Sequence, residues 1–281
     1  MSVEATVNRK PWFGWVLFLG TVVVVVLIAL LASSIVERRS EALVAYTPKT
    51  DIGNWEPRNA VWGKYFPREY ESYSRTQRMD FRSKYAGNKV VDMLAEDPLL
   101  VVLWAGYGFS KDYNQGRGHY YAVKDIRDTL RTGGPKDANS GPMPNTCWTC
   151  KSPDVPRMMA EIGPAEFYKG KWASRGAEIV NSIGCADCHD PKTMNLRISR
   201  PALKEAFERR GEDITKATFQ EMRSLVCAQC HVEYYFKGKG KYLTFPWDKG
   251  LTVEAMEQYY DEAEFKDWTH KISKAPMLKA Q

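Results

Sequence analysis

The 281-residue chain is long enough for one large domain or two ordinary ones, and its 44 % hydrophobic content is that of a globular protein. A formal net charge of +6 is the one bulk feature that points to an anionic partner. All six cysteines fall in three Cys-x-x-Cys pairs, so none is left over for a structural disulfide elsewhere, which favours a cofactor scaffold over a disulfide framework.

Residues 1–10 form a short polar tail, read as cytoplasmic, ending Arg9-Lys10. From Pro11 to Val36 no residue is charged, and the run includes Val22-Val23-Val24-Val25-Val26-Leu27-Ile28. That length predicts one transmembrane signal anchor at 11–36, or an uncleaved signal, with Ala32-Ser33-Ser34 as a possible cleavage point. Arg38 and Arg39 flank the far side and weaken the positive-inside signal. Residues 40–70 carry Pro48, Gly53, Pro57, Gly63 and Pro67 among aromatics and read as loops with short elements. Helical patterns follow at 92–107, 118–131, 164–182, 199–210, 213–226 and 253–272. In 199–210 Leu203 and Phe207 lie one turn apart before Gly211. In 213–226 Phe219, Met222, Leu225 and Val226 share a face directly ahead of Cys227. Little alternating β-pattern is visible. The fold class is mostly α with long ordered loops, and 37–281 forms one domain after the anchor.

The cysteine pairs stand as Cys147-Trp148-Thr149-Cys150-Lys151, Cys185-Ala186-Asp187-Cys188-His189 and Cys227-Ala228-Gln229-Cys230-His231. Two cysteines two residues apart can bind the vinyl groups of one haem, and the next residue normally gives the iron a histidine. Zinc is the rival, but the gaps between pairs are longer than a zinc ribbon uses and a ligand-type residue follows every pair. Three haems c in a multihaem cytochrome fold are therefore expected. Their propionates, about six negative charges, cancel the positive surplus, so nucleic-acid binding is not supported. Haem attachment at such turns follows export, which places everything from about residue 37 outside the cytoplasmic membrane.

Lysine at position 151 replaces a histidine in an otherwise repeated pattern. An iron with histidine on both faces passes electrons, whereas one that binds substrate keeps a face open. An amine ligand must also lose a proton whose ordinary pKa is about 10.4, which points to a special metal-bound setting. The 147–151 haem reads as the catalytic centre, and the other two as its wiring. The chain has four histidines: His119, His189, His231 and His270. Only His119 and His270 remain as second ligands; Gly118 would permit close backbone approach beside His119, while His270, on the 253–272 pattern, reads as a surface residue.

The segments Arg117-Gly118-His119, Thr129-Leu130-Arg131-Thr132-Gly133, Cys147 to Val155, Cys227 to Phe236 and Pro276 to Gln281 resemble the ammonia-forming cytochrome c nitrite reductases, pentahaem enzymes of bacterial nitrite respiration. The likeness covers essentially everything after the anchor, and Cys-x-x-Cys-Lys followed by Ser152-Pro153-Asp154-Val155 is its most specific part. It implies that Lys151 is the proximal ligand of the active-site haem, that His189 and His231 are proximal ligands of the other two, and that His119 is the far ligand of the third. It implies catalytic distal-pocket roles for Arg131 and Tyr234, and a calcium site from Glu233, the Tyr234 carbonyl, the Lys279 carbonyl and Gln281. The implied activity is six-electron reduction of nitrite to ammonium in the periplasm. Electrons would come from a membrane quinol-oxidising cytochrome or a small cytochrome. The family continues with a catalytic histidine, two more haem motifs and the long helices of a homodimer. A truncated chain, inactive alone, is therefore expected. The alternative function is a multihaem electron-transfer protein without catalysis; a third reading is a membrane-anchored docking subunit.

Overall fold

The structure is a computed structural model that describes residues 11–43, 51–82, 84, 89–130, 132 and 143–279. It divides into two units, Met1–Thr47 and Pro48–Gln281. In the first, helix α1 (Pro11–Leu43) contains a stretch, Trp12–Arg39, long and apolar enough to cross a membrane. The helix does not stop at Val36, because Glu37, Arg38 and Arg39 are good helix formers and no proline or glycine follows before Leu43.

The second unit begins with α2 (Asn59–Gly63) and α3 (Pro67–Arg75). Pro67 opens α3, where its missing N–H costs nothing. Trp62 is fully buried with Ile52, Phe66 and Ala186, so this N-terminal pair packs on the second cysteine turn.

The pattern at 92–107 is broken into β1 (Val91–Asp92), α4 (Met93–Glu96) and α5 (Leu100–Leu103). Pro98 drives Asp97 out of the helical region, to φ −136° and ψ 89°. β2 (Asn114–Gln115) pairs antiparallel with β1. The 118–131 pattern yields a 3-10 turn at His119–Tyr121 and α6 (Ala122–Asp128), which ends where Thr129 turns extended at ψ 146°.

After α7 (Asp154–Ile162), the helix expected over 164–182 is only α8 (Pro164–Tyr168) and a 3-10 turn at Trp172–Ser174, separated by Gly170 at φ +93°. Next come α9 (Cys185–Cys188), α10 (Pro201–Arg209) and α11 (Phe219–Ala228). The pattern at 213–226 is split because Thr218 caps α11 reciprocally with Glu221 and leaves Ile214–Lys216 as a separate turn. β3 (Tyr235–Lys237) pairs with β4 (Tyr242–Thr244), with Tyr235 opposite Thr244. α12 (Val253–Glu262) stops a turn before the residue at which Glu264 takes φ +48°. The remainder of the 253–272 pattern is instead β5 (Trp268–Thr269), which pairs with β6 (Pro276–Met277).

The fold is thus mostly α with long ordered loops, and its β-structure among the described residues is three two-stranded pairs. The main core gathers Trp148, Trp172, Phe167, Val155, Leu203 and Phe245, all fully buried. Its centre is the first cysteine turn rather than a regular element: Trp148 lies flat on Trp172, ring centres 3.4 Å apart and 10° from parallel, and donates its indole N–H to the Trp172 carbonyl at 2.8 Å.

Candidate functional site

Each cysteine pair sits on a single helical turn, which puts both thiols on one side as two bonds to one flat cofactor require. The first pair lies in a 3-10 helix, Asn145–Cys150, the second in α9, and the third where α11 closes. None of the six cysteines is in a disulfide. His189 and His231 donate their backbone N–H to the first cysteine of their own motif, both at 2.9 Å, as in an α-helix. Lys151 donates to Trp148 at 2.9 Å, one residue nearer. The turn that carries lysine is therefore wound more tightly than the two that carry histidine.

The segment beyond Lys151 is anchored by Asp154. Its buried carboxylate accepts from the Val180 and Asn181 N–H groups, both at 2.9 Å, and from the Ser152 hydroxyl at 3.1 Å. Ser152-Pro153-Asp154-Val155 thus pins the strand of chain that leads to the second turn. Gly184 follows at a point where a Cβ would lie 2.0 Å from the Asn59 side-chain oxygen, and that oxygen accepts the Cys185 N–H at 2.9 Å. A larger residue would have to displace the Asn59 side chain and break that bond.

A cavity of about 590 Å³, within the usual range for cofactor sites, is walled by residues of all three motifs, Lys151, Cys188 and Cys227 among them. His119, His231 and Tyr234 also face it. The His119 and His231 rings stand 6.0 Å apart, centre to centre. Two imidazoles on opposite sides of one metal would be about 6.2 Å apart, given nitrogen–metal bonds of about 2.0 Å and about 1.1 Å from nitrogen to ring centre. The pair fits an iron between them. Desolvation, then the neighbouring His231, pushes the His119 imidazole below its ordinary pKa, toward the neutral form a ligand needs.

Gly118 takes φ +94°, a backbone angle that favours glycine, and lines the same cavity. Arg117 ties the segment to α6. Its backbone N–H and guanidinium both reach the Asp125 carboxylate, and its head lies 3.8 Å over the Tyr121 ring. His270 is elsewhere. It sits past β5, not on a helix, with one ring nitrogen 2.8 Å from the Ser273 hydroxyl and the other 2.8 Å from the Val102 carbonyl. His189 holds its Nδ1 2.8 Å from the Met194 carbonyl, which keeps the proton on Nδ1 and leaves Nε2 free to act as a ligand.

Tyr234 stacks on Phe236, with ring centres 5.7 Å apart, and the Lys279 ammonium lies 5.0 Å from its ring. Burial, then the thiols of Cys150 and Cys147, pushes the phenol well above its ordinary pKa, so it keeps its proton at neutral pH. Glu233 accepts the Tyr260 hydroxyl at 2.8 Å, and the Lys279 N–H is held by Asp267 at 2.7 Å. Arg131 and Gln281 lie outside the described residues; of the neighbours of Arg131, Thr129 lines the cavity and Thr132 is buried.

No pattern in the sequence marks the polar centre that joins the three turns. Arg200, fully buried, donates from Nε to the Thr149 carbonyl at 2.8 Å and from Nη2 to the Ser152 carbonyl at 2.9 Å and to Asp187 at 2.5 Å. Asp187 is the third residue of the second motif and is 3 % exposed. Gln229, third in the last motif, accepts the backbone N–H of Ser199 and Arg200 at 3.0 and 3.1 Å and donates to the Asp187 carbonyl at 2.9 Å. Only pairing in space reveals this, since Thr149, Asp187, Arg200 and Gln229 are separated by long gaps in the chain.

Residues 58–281 match the Cytochrome c552 family. The chain is 63 % identical over 273 residues to the cytochrome c-552 of Parabacteroides distasonis and 61 % identical over 273 residues to that of Bacteroides fragilis, covering 97 % of this chain and 55 % of each relative. It therefore spans about half the length of these curated relatives. Among solved structures it resembles the catalytic subunit of a cytochrome c nitrite reductase from Desulfovibrio desulfuricans, described with two calcium sites. That match has a TM-score of 0.72 at 35 % identity and covers 83 % of this chain and 54 % of the other.

Proposed function

The chain belongs to the cytochrome c552 family, and from that premise we propose that it serves six-electron reduction of nitrite to ammonium at a lysine-ligated haem c. The observation that carries this reading is the lysine turn, Cys147 to Lys151, opening on the same cavity as His119, His231 and Tyr234. Three haems c would be held by the three cysteine pairs, supplying an iron for the substrate and stores for its electrons.

The chain's own residues divide the remaining work. Lys151 gives a nitrogen lone pair from one side, so the substrate side is left to other groups. His189, with its proton held on Nδ1, and the facing pair His119 and His231 would hold the irons of the two carrier haems. Tyr234 holds a phenolic proton at neutral pH and is the proton or hydrogen-bond donor to substrate oxygen. Arg131 attracts the singly charged nitrite and fixes its plane through a forked pair of donors. Glu233, the carbonyls of Tyr234 and Lys279, and Gln281 form the calcium site, a hard-cation donor set of oxygens. Held there, calcium would fix the backbone under Tyr234.

Residues 11–36 tether the protein to the cytoplasmic membrane with residues 1–10 inside, and 37–281 work in the periplasm. Electrons come from a membrane quinol-oxidising cytochrome or a small cytochrome, and the complete protein is a homodimer.

The test is spectroscopic. The holoprotein, reduced with dithionite and mixed with nitrite, is expected to reoxidise and release ammonium. A spectrum in which every iron is six-coordinate, with no reoxidation, would instead make it an electron carrier. In the enzyme expressed from its complete gene, Arg131→Lys keeps the charge but loses the planar fork. It is expected to lower nitrite turnover on the order of a hundredfold, measured as nitrite-dependent oxidation of a reduced dye. Near-normal turnover in Arg131→Ala would remove that residue from the pocket.

A further inference from the structure

The buried centre around Arg200 is built in a way that plain core packing does not require. Its partners are not scattered: they are the Thr149 carbonyl inside the first motif, the Ser152 carbonyl just past Lys151, the Asp187 carboxylate inside the second motif and, through the backbone of Ser199 and Arg200, the Gln229 amide inside the third. The interior residues of a cysteine pair are not needed to bind a cofactor, yet here one from each motif is turned inward to the same point. Gln229 and Ser199 close the ring by reaching the Asp187 carbonyl at 2.9 and 2.5 Å.

We propose that Arg200 is a positioning residue that sets the spacing and tilt of the three haem-attachment turns relative to one another, and so the sharing of electrons among their cofactors. The proposal rests on the haem reading given above. Only a guanidinium can serve this point. Its donors leave in three directions from one rigid plane, so Nε and Nη2 reach the first motif and Asp187 while Nη1 reaches the Ser199 hydroxyl at 2.7 Å. A lysine ammonium carries the same charge but offers its protons from one atom, and cannot hold acceptors on both flanks. Fixed charge and fixed geometry therefore make different predictions for Arg200→Lys.

The experiment uses holoprotein matured in a host that attaches c-type haem, with haem counted by mass and each haem followed in a spectropotentiometric titration. In Arg200→Lys the haem count is expected to stay as in the wild type. The equilibrium for electron sharing between haems should shift at least tenfold, about 59 mV for a one-electron couple, and the magnetic coupling seen in the ferric spectrum should change. Leu203→Ala, which empties a fully buried core position within α10, should lower the unfolding midpoint without moving the potentials, which separates positioning from mere stability. Should Arg200→Lys fail to accumulate, Gln229→Met leaves the Arg200–Asp187 pair intact and is expected to shift the third-motif haem alone. Wild-type potentials and coupling in either variant would overturn the proposal, as would a shift in Leu203→Ala as large as theirs. A wild-type protein with no covalent haem would overturn the haem reading itself, and the proposal with it.

Discussion

His119→Ala is expected to convert one haem from six- to five-coordinate, with the loss of that haem's low-spin signal and its recovery on adding free imidazole. The expectation comes from distance. The His119 and His231 rings face each other across 6.0 Å, the separation two ligands keep around a single iron, and no other histidine stands opposite His231. Removing a metal-side group of this kind costs about 10- to 100-fold in affinity or activity when it only orients a ligand, and a direct ligand should cost at least that. Electron flow into the substrate haem should therefore fall by about tenfold or more, read by stopped-flow reoxidation. The control is His270→Ala. Its ring is engaged by Ser273 and the Val102 carbonyl, so that variant should leave every haem spectrum unchanged. If the two variants exchange these outcomes, the ligand assignment is wrong.

The second large effect is on stability. Asp187→Ala is expected to destabilise the protein by about 3–5 kcal/mol, because it strands a fully buried guanidinium without its counter-charge. Burial works against the Arg200 charge, but Asp187 together with the sulfurs of Cys230 and Cys150 holds the guanidinium strongly in its charged form, so it has no route to neutrality. Comparing Asp187→Ala with the double variant Asp187→Ala/Arg200→Met in denaturant unfolding gives the sharper result. Removing both charges should recover part of the loss, as buried ion pairs can often be replaced by apolar groups. Recovery should be incomplete, since the Thr149 carbonyl would then lack its donor and the Ser152 carbonyl would keep only the Val155 N–H at 3.3 Å, and a buried group left unsatisfied costs about 1–3 kcal/mol. A loss below about 1 kcal/mol in Asp187→Ala would show that the pair carries little of the fold.

The cysteine pairs, the exceptional lysine and the likeness to nitrite reductases were legible because covalent attachment demands fixed spacing in the chain. The helical patterns were less so. Pro98 and Gly170 break two of them where local backbone preference overrides the apolar period, and a third ends where Glu264 takes φ +48°. The β5–β6 pairing was hidden because two-residue strands leave no alternation to read. The Ser152 to Val155 segment was recognisable, but its physical role was not: Asp154 bonds to the backbone of Val180 and Asn181, and nothing in the sequence states which distant N–H groups a buried carboxylate will meet. The positive φ of Gly118 was hidden too, since only dihedral angles show it.

The contacts of Arg200 also set a schedule for synthesis. A chain threaded through a membrane from its N-terminus releases Thr149 first, Arg200 51 residues later and Gln229 a further 29 residues after that. Until Gln229 has emerged, the hydrogen bonds that bind the third turn to the other two cannot form. The first two turns can close on Arg200 as soon as it has emerged, whereas the third can join them only when Gln229 arrives. The order of the chain thus makes the third turn the last to be fixed in place.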